Sequence, residues 1–199
     1  MKVKRLSIAL VLTALLMAWI PVGAEEEQER KEIKPVLLVV DVQNQWMPMM
    51  AKEDRATAPE KINEAIALFR EYGQPVIRVY HSDPKRGPEP GTEAFEFPDS
   101  IAVLDSDAKV VKAHPSSFQD TGLEKTLREG ERNVVILCGL SAVGCVLATY
   151  FGAMERDFTV LMVKEALLSH NAEYTDMVEN ICYSMSLEDL KEMLEDPYF

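Results

Sequence analysis

Three residues far apart in the chain carry side chains suited to acyl transfer: Asp41, Lys112 and Cys145. A cysteine attacks a carbonyl as its thiolate, so it needs a proton acceptor or a cation beside it. Cys145 lies in GLSAVGCVLATYFGAM, which reads as strand, turn and helix with the cysteine at or near the helix start. Free N–H groups at such a start favour a thiolate and can receive the oxyanion of an attacked carbonyl. Asp41 could take the thiol proton, and Lys112 could hold both the carboxylate and the thiolate in place. Taken singly, each residue has an ordinary structural explanation as well. Cys145 could be a small buried packing residue, Asp41 the cap of a turn, and Lys112 a solvent-facing strand end.

Bringing them together requires a fold that sets distant strand ends side by side. The hydrophobic pattern supplies one. PVLLVVDV (35–42), PVIRVYH (75–81), AKVVKA (108–113), NVVILCG (133–139) and FTVLMVKEA (158–166) are short runs of strand length, and CYSMS (182–186) reads as an edge strand. Helices are predicted over 59–72, about 121–129, 144–156, 172–180 and 187–195. In the first, Ile62, Ala65, Ile66 and Phe69 share a face, and Gly73 ends it. Residues 82–104, rich in Pro and Gly, read as a long irregular loop. Strand–helix alternation of this kind predicts one α/β domain, with a mostly parallel sheet covered on both faces. In such sheets ligands bind beyond the carboxyl ends of the strands. Asp41 and Lys112 are placed at the ends of the first and third strands, and Cys145 a short turn after the fourth.

Three blocks, in order and at matching spacing, give the chain a resemblance to the isochorismatase-like (cysteine hydrolase) superfamily, which includes nicotinamidase-related amidases. LLVVDVQNQW carries Asp41, Gln43 and Asn44. VVKAHPSSFQDTGLEKTL carries Lys112, Ser117 and Phe118. CGLSAVGCVLATYFGAMERDF carries Cys145. The resemblance covers roughly residues 35–190. It implies a three-layer α-β-α sandwich around a six-stranded, mostly parallel sheet, and a catalytic triad of Asp41, Lys112 and Cys145. It further implies a cis peptide between Leu140 and Ser141, in a turn where Leu140, Ser141 and Ala142 form the oxyanion-binding segment with the Cys145 N–H. Trp46 and Phe118 match aromatic residues beside the family's site, and PGTEAFEF (90–97) resembles a pocket-shaping loop. The reaction implied is cleavage of a C–N amide bond of a small molecule through a thioester. Hydrolysis of a vinyl ether, and a non-catalytic binding protein that keeps the fold, stay open as alternatives.

The chain departs from the family in one respect. Nicotinamidases hold a divalent metal through an Asp-x-His motif and a second histidine. In IRVYHSDP, Val79 stands at the aspartate position, and His81 has no histidine partner in the loop that follows. No metal and no cofactor are expected, and His81 is placed at the pocket mouth. His114 reads as a surface turn residue.

The remaining expectations concern the cellular setting. Lys2, Lys4 and Arg5 precede a run of about 15 apolar residues and then PVGA, the pattern of a secretory signal peptide cleaved after Ala24. A charged leader over 25–34 follows, and the hydrolase domain spans 35–199. Cleavage would take away three positive charges and shift the formal charge from −12 to −15. Such acidity disfavours nucleic acid and anionic membrane surfaces as partners. The expectation is therefore an exported protein, periplasmic or extracellular. Its partner is a small-molecule substrate, with no nucleic acid and no stable membrane partner after cleavage, and it is expected to form a homo-oligomer, as relatives do. The three cysteines, Cys138, Cys145 and Cys182, lack CxxC spacing and are too few for a disulfide scaffold, although a Cys138–Cys182 pair stays open.

Overall fold

The computed structural model describes residues 32–198, apart from Pro84 and Arg86. The expected signal segment 1–24 and most of the leader lie outside the described residues. Six strands form one parallel sheet: β1 Pro35–Val40, β2 Val76–His81, β3 Ala108–Lys112, β4 Val134–Leu140, β5 Thr159–Leu168 and β6 Ser184–Met185. Their order is β3-β2-β1-β4-β5-β6. β1 and β4, at the centre, are buried at every position. That is why they read as unbroken apolar runs rather than as alternating patterns.

Five helices cover the sheet: α1 Lys52–Glu71, α2 Leu123–Glu129, α3 Leu147–Met154, α4 Ala172–Ile181 and α5 Leu187–Glu195. On one face Ile62, Ile66 and Phe69 of α1 and Leu190 and Met193 of α5 pack on Leu37, Val39, Ile136 and Cys138. On the other, Leu123 and Leu127 of α2, Tyr150 and Ala153 of α3 and Val178 of α4 pack on Val36, Leu38, Val135 and Leu137. The result is the three-layer α-β-α sandwich that the resemblance implies.

Two boundaries differ from the sequence expectation for identifiable reasons. α1 begins at Lys52, with Pro59 inside it, rather than at Pro59. The buried Asp54 carboxylate accepts hydrogen bonds from Ser169 N (2.8 Å) and Thr175 Oγ1 (2.6 Å), which docks the added first turns against β5 and α4. Proline there removes one helical N–H donor and crowds the Arg55 carbonyl, a cost that this docking offsets. β5 continues to Leu168 because Glu165, at φ +61°, bends the strand and lets Leu167 and Leu168 rejoin β4 beside Gly139 and Leu140.

Gly139 is a point of close approach between the two central strands. Its φ is +111°, and a Cβ placed there would run into the Val40 backbone. Gly139→Ala is expected to cost about 2–6 kcal/mol, from about 1–3 of backbone strain and about 1–3 of overpacking. A urea titration that leaves the midpoint within error of wild type would contradict this close approach.

Candidate active site

β1 and β4 are neighbours whose onward connections leave in opposite directions, so a crevice opens beyond their carboxyl ends. Asp41 follows Val40 directly, at φ +53°, a left-handed conformation that aspartate adopts more readily than most residues. Its N–H donates to Val79 O (2.9 Å). The next turn is held by the fully buried Gln43. Gln43 Oε1 accepts from His81 N (2.9 Å), while Nε2 donates to Phe95 O (2.8 Å) and His81 O (3.2 Å). Asn44 Nδ2 donates to Glu93 O (2.9 Å). The Gln-Asn pair thus locks the Asp41 turn to the end of β2 and to the 90–97 loop.

Lys112 is the one fully buried residue of the edge strand β3. Its Nζ donates to Asp41 Oδ2 (2.7 Å), faces His81 Nδ1 at 3.2 Å and donates to the His114 carbonyl (3.2 Å). Three acceptors match the three protons of an ammonium. Asp41 Oδ1 is buried and has no hydrogen-bond partner among the described residues. The loop after β3 is clamped to α3 by Ser117, whose N–H (3.0 Å) and Oγ (2.8 Å) both meet Thr149 Oγ1. Lys112 and the cysteine-bearing segment are therefore positioned by the same contacts.

After β4 the Leu140–Ser141 peptide is cis, as the resemblance implies. Residues Ala142–Val146 then form a tight helical turn, kinked at Gly144, before α3 begins. Cys145 stands in this turn. One donor atom each from Asp41, His81 and Cys145 lies within 4.8 Å of the others. These three border a cavity of about 210 Å³, together with Trp46, Met50, Leu140 and Ser141. The Trp46 indole meets the His81 ring edge-on, with centroids 6.1 Å apart.

Electrostatics revise one expectation. A helix start favours a thiolate, yet burial and then the Asp41 charge push the Cys145 thiol up to about 12. The resting nucleophile is a thiol, and ionisation requires a base at hand. Burial raises the Asp41 carboxyl above the ordinary carboxylate range, against the opposing pull of Lys112. A base so raised titrates closer to the working pH. Burial and the Lys112 charge hold His81 low, so its imidazole is neutral at pH 7.

Of the residues expected at the site, Asp41, Lys112, Cys145, Trp46, His81, Leu140 and Ser141 come together. Phe118 does not. It is buried in the core under α2 and α3 and stacks on Phe158 at 5.8 Å. The Ala142 side chain is fully buried in the same core; the part expected of this residue is that of its backbone N–H. The 90–97 loop does not line the cavity; Phe95 and Phe97 pack on Tyr80. His114 pairs with Asp120 at the surface, 3.0 Å away. Met50 borders the cavity without any signal in the sequence, because only the fold of the 46–50 turn brings it there. Val79, at the position of the nicotinamidase metal aspartate, is a core residue, so that motif has no counterpart here. All three cysteines are unpaired. Cys138 and Cys182 belong to opposite faces of the sheet, which rules out the bridge left open above.

Comparison with known proteins identifies the family. The isochorismatase domain model matches residues 35–182. An isochorismatase family protein of Bacillus subtilis, YddQ, is 29% identical over 147 residues, covering 71% of this chain and 82% of its own. The secreted isochorismatase effector Isc1 of Verticillium dahliae is 27% identical over 135 residues, covering 66% and 71%. N-carbamoylsarcosine amidase from Thermoplasma acidophilum superposes with a TM-score of 0.67 at 27% identity, covering 77% of this chain and 95% of its own. The family match spans all but one strand of the sheet and both segments that wall the crevice, and it places this chain in the isochorismatase family as a hydrolase.

Proposed function

We propose that the protein is a cysteine hydrolase that cleaves the C–N bond of a small, uncharged amide, with Cys145 as nucleophile, Asp41 as proton carrier and Lys112 as the cation that holds Asp41 ionised. One observation carries this reading. The buried Asp41 carboxylate is paired through Oδ2 with Lys112, and one of its oxygens lies within 4.8 Å of the Cys145 sulfur. In the first half-reaction Asp41 Oδ1 takes the thiol proton and the sulfur attacks the carbonyl carbon. The oxyanion is received by backbone N–H groups of the Leu140–Cys145 turn. As the C–N bond breaks, Asp41 returns the proton to the leaving nitrogen, and a thioester remains. Water then loses a proton to Asp41 and attacks the thioester. The acid departs, and the proton restores the thiol.

The cavity limits the substrate. At about 210 Å³ it is smaller than the roughly 300–1,000 Å³ of pockets for drug-sized ligands. Trp46, Met50 and Leu140 suit a planar or apolar group. Among the described residues no arginine or lysine lines it, and the ammonium of Lys112 is already committed to three acceptors. Among these described residues a substrate carboxylate finds no free counter-charge. This favours neutral amides over carboxylated vinyl ethers. The amidase activity named for the Thermoplasma relative supports C–N cleavage, though not the absence of a carboxylate.

The test is a panel of small amides, with and without a carboxylate, plus a vinyl ether, with released ammonia and acid measured. Neutral planar amides are expected to be turned over fastest. Preference for the carboxylated members would overturn the uncharged-substrate reading, and no turnover of any amide beside turnover of the vinyl ether would overturn the amidase. We also propose that the protein works outside the cytoplasm, as a homo-oligomer. Export rests on the pattern of residues 1–24 and on the word "secreted" in the Verticillium relative's name.

A further inference from the structure

The cluster that would perform this chemistry has a second capability. Carboxylate, imidazole and thiol are the three side-chain types that bind zinc, and here one donor atom of each lies within 4.8 Å of the others. Tetrahedral zinc holds its ligands at about 2.0–2.3 Å, so small side-chain rotations close the set. Asp41 Oδ1 is buried and has no hydrogen-bond partner among the described residues, while Lys112 occupies Oδ2. His81 turns Nδ1 to Lys112, and its Nε2 has no hydrogen-bond partner among the described residues. Cys145 and His81 both border the cavity, which gives an entry path and room for a water as fourth ligand.

We propose that Asp41, His81 and Cys145 form an inhibitory site for a thiophilic divalent cation, with zinc as its probe. The cation takes the thiol proton's place on Cys145 Sγ, releasing that proton to solvent, and accepts lone pairs from Asp41 Oδ1 and a His81 ring nitrogen. Thiolate and imidazole donors select zinc over magnesium or calcium. The Lys112 ammonium opposes a second cation, so binding is weaker than at a closed structural zinc site. Sequence spacing conceals the set, since its members end or follow three different strands. Binding rests on the donor geometry alone; its inhibitory consequence rests on the role proposed for Cys145.

The experiment is alkylation of the full-length protein by iodoacetamide, with peptide mapping to separate Cys145 from Cys182, which packs against the opposite side of the sheet from α1 and α5. Zinc should slow modification of Cys145 by at least about tenfold, leave Cys182 unaffected and be reversed by EDTA; magnesium should do nothing. Losing a supporting residue of a metal site already costs about 10–100-fold in affinity. Calorimetry should therefore show that His81→Ala and Cys145→Ala each lose at least that much zinc affinity. Unprotected Cys145 at saturating zinc, or unchanged affinity in His81→Ala, overturns the site. Protection of Cys145 while amide turnover continues would uphold the metal site and instead overturn the catalytic reading.

Discussion

Cys145→Ala is expected to lower turnover by about 10⁴–10⁶-fold, the range seen when a member of a nucleophile–base unit is deleted. The loss should fall on kcat, because the sulfur makes its bond to carbon only in the chemical step. Stability should hardly change. The exchange removes one atom at a half-buried position beside a cavity. Circular dichroism and a urea titration on the same sample separate loss of chemistry from loss of fold. A variant that keeps even a few per cent of wild-type turnover would show that another group attacks. A wild-type protein inert on every substrate, with an equally inert variant, would favour the binding-protein alternative. Because burial and Asp41 push the thiol up to about 12, free Cys145 should alkylate slowly at neutral pH and faster as pH rises. Rapid labelling near pH 7 would contradict a resting thiol.

Lys112→Met is expected to abolish turnover and to cost about 3–5 kcal/mol at neutral pH, the usual effect of breaking a buried ion pair from one side. The side chains of Lys112 and Asp41 are 0% and 2% exposed, so water cannot replace the lost partner. The deficit has a definite pH dependence. Without the ammonium, the Asp41 carboxyl rises further above its ordinary value of 3.8. A carboxyl whose folded-state pKa exceeds its unfolded value favours the fold when protonated. The variant is therefore least impaired in acid, and it loses stability as pH climbs from about 4 toward the raised value. Adding Asp41→Asn removes the stranded charge and should recover most of the stability, though none of the turnover. The interaction energy is read from a double-mutant cycle of urea titrations at acid and neutral pH. Additive effects of the two substitutions would mean that the ion pair does not hold this site together.

In wild type the same logic governs activity. Asp41 must be ionised to take the thiol proton, so kcat/KM should fall as pH drops through a pKa above the ordinary carboxylate range. An acid limb at or below 3.8 would contradict the part assigned to burial.

Much of this was legible in the sequence, and the reasons are physical. Central strands buried on both faces must be continuously apolar, so 35–40 and 134–140 announce themselves. Helices with one covered face repeat at 3.6 residues, and 187–195 matches α5 at both ends. Asp41, Lys112 and Cys145 were legible because each ends or follows a strand, where a parallel sheet collects its ligands. What the sequence could not supply are properties of groups that meet only on folding. Only the tertiary structure decided that Gln43 braces the Asp41 turn, that Met50 lines the cavity, and that Phe118 goes to the core. The same is true of the Asp41–His81–Cys145 donor set. Local pattern reports which face of an element is apolar; it does not report which loop residue another element will displace or admit. The state of the thiol is the clearest case. The helix start pointed to a thiolate, and burial beside a carboxylate, which exists only once three strand ends converge, made it a thiol.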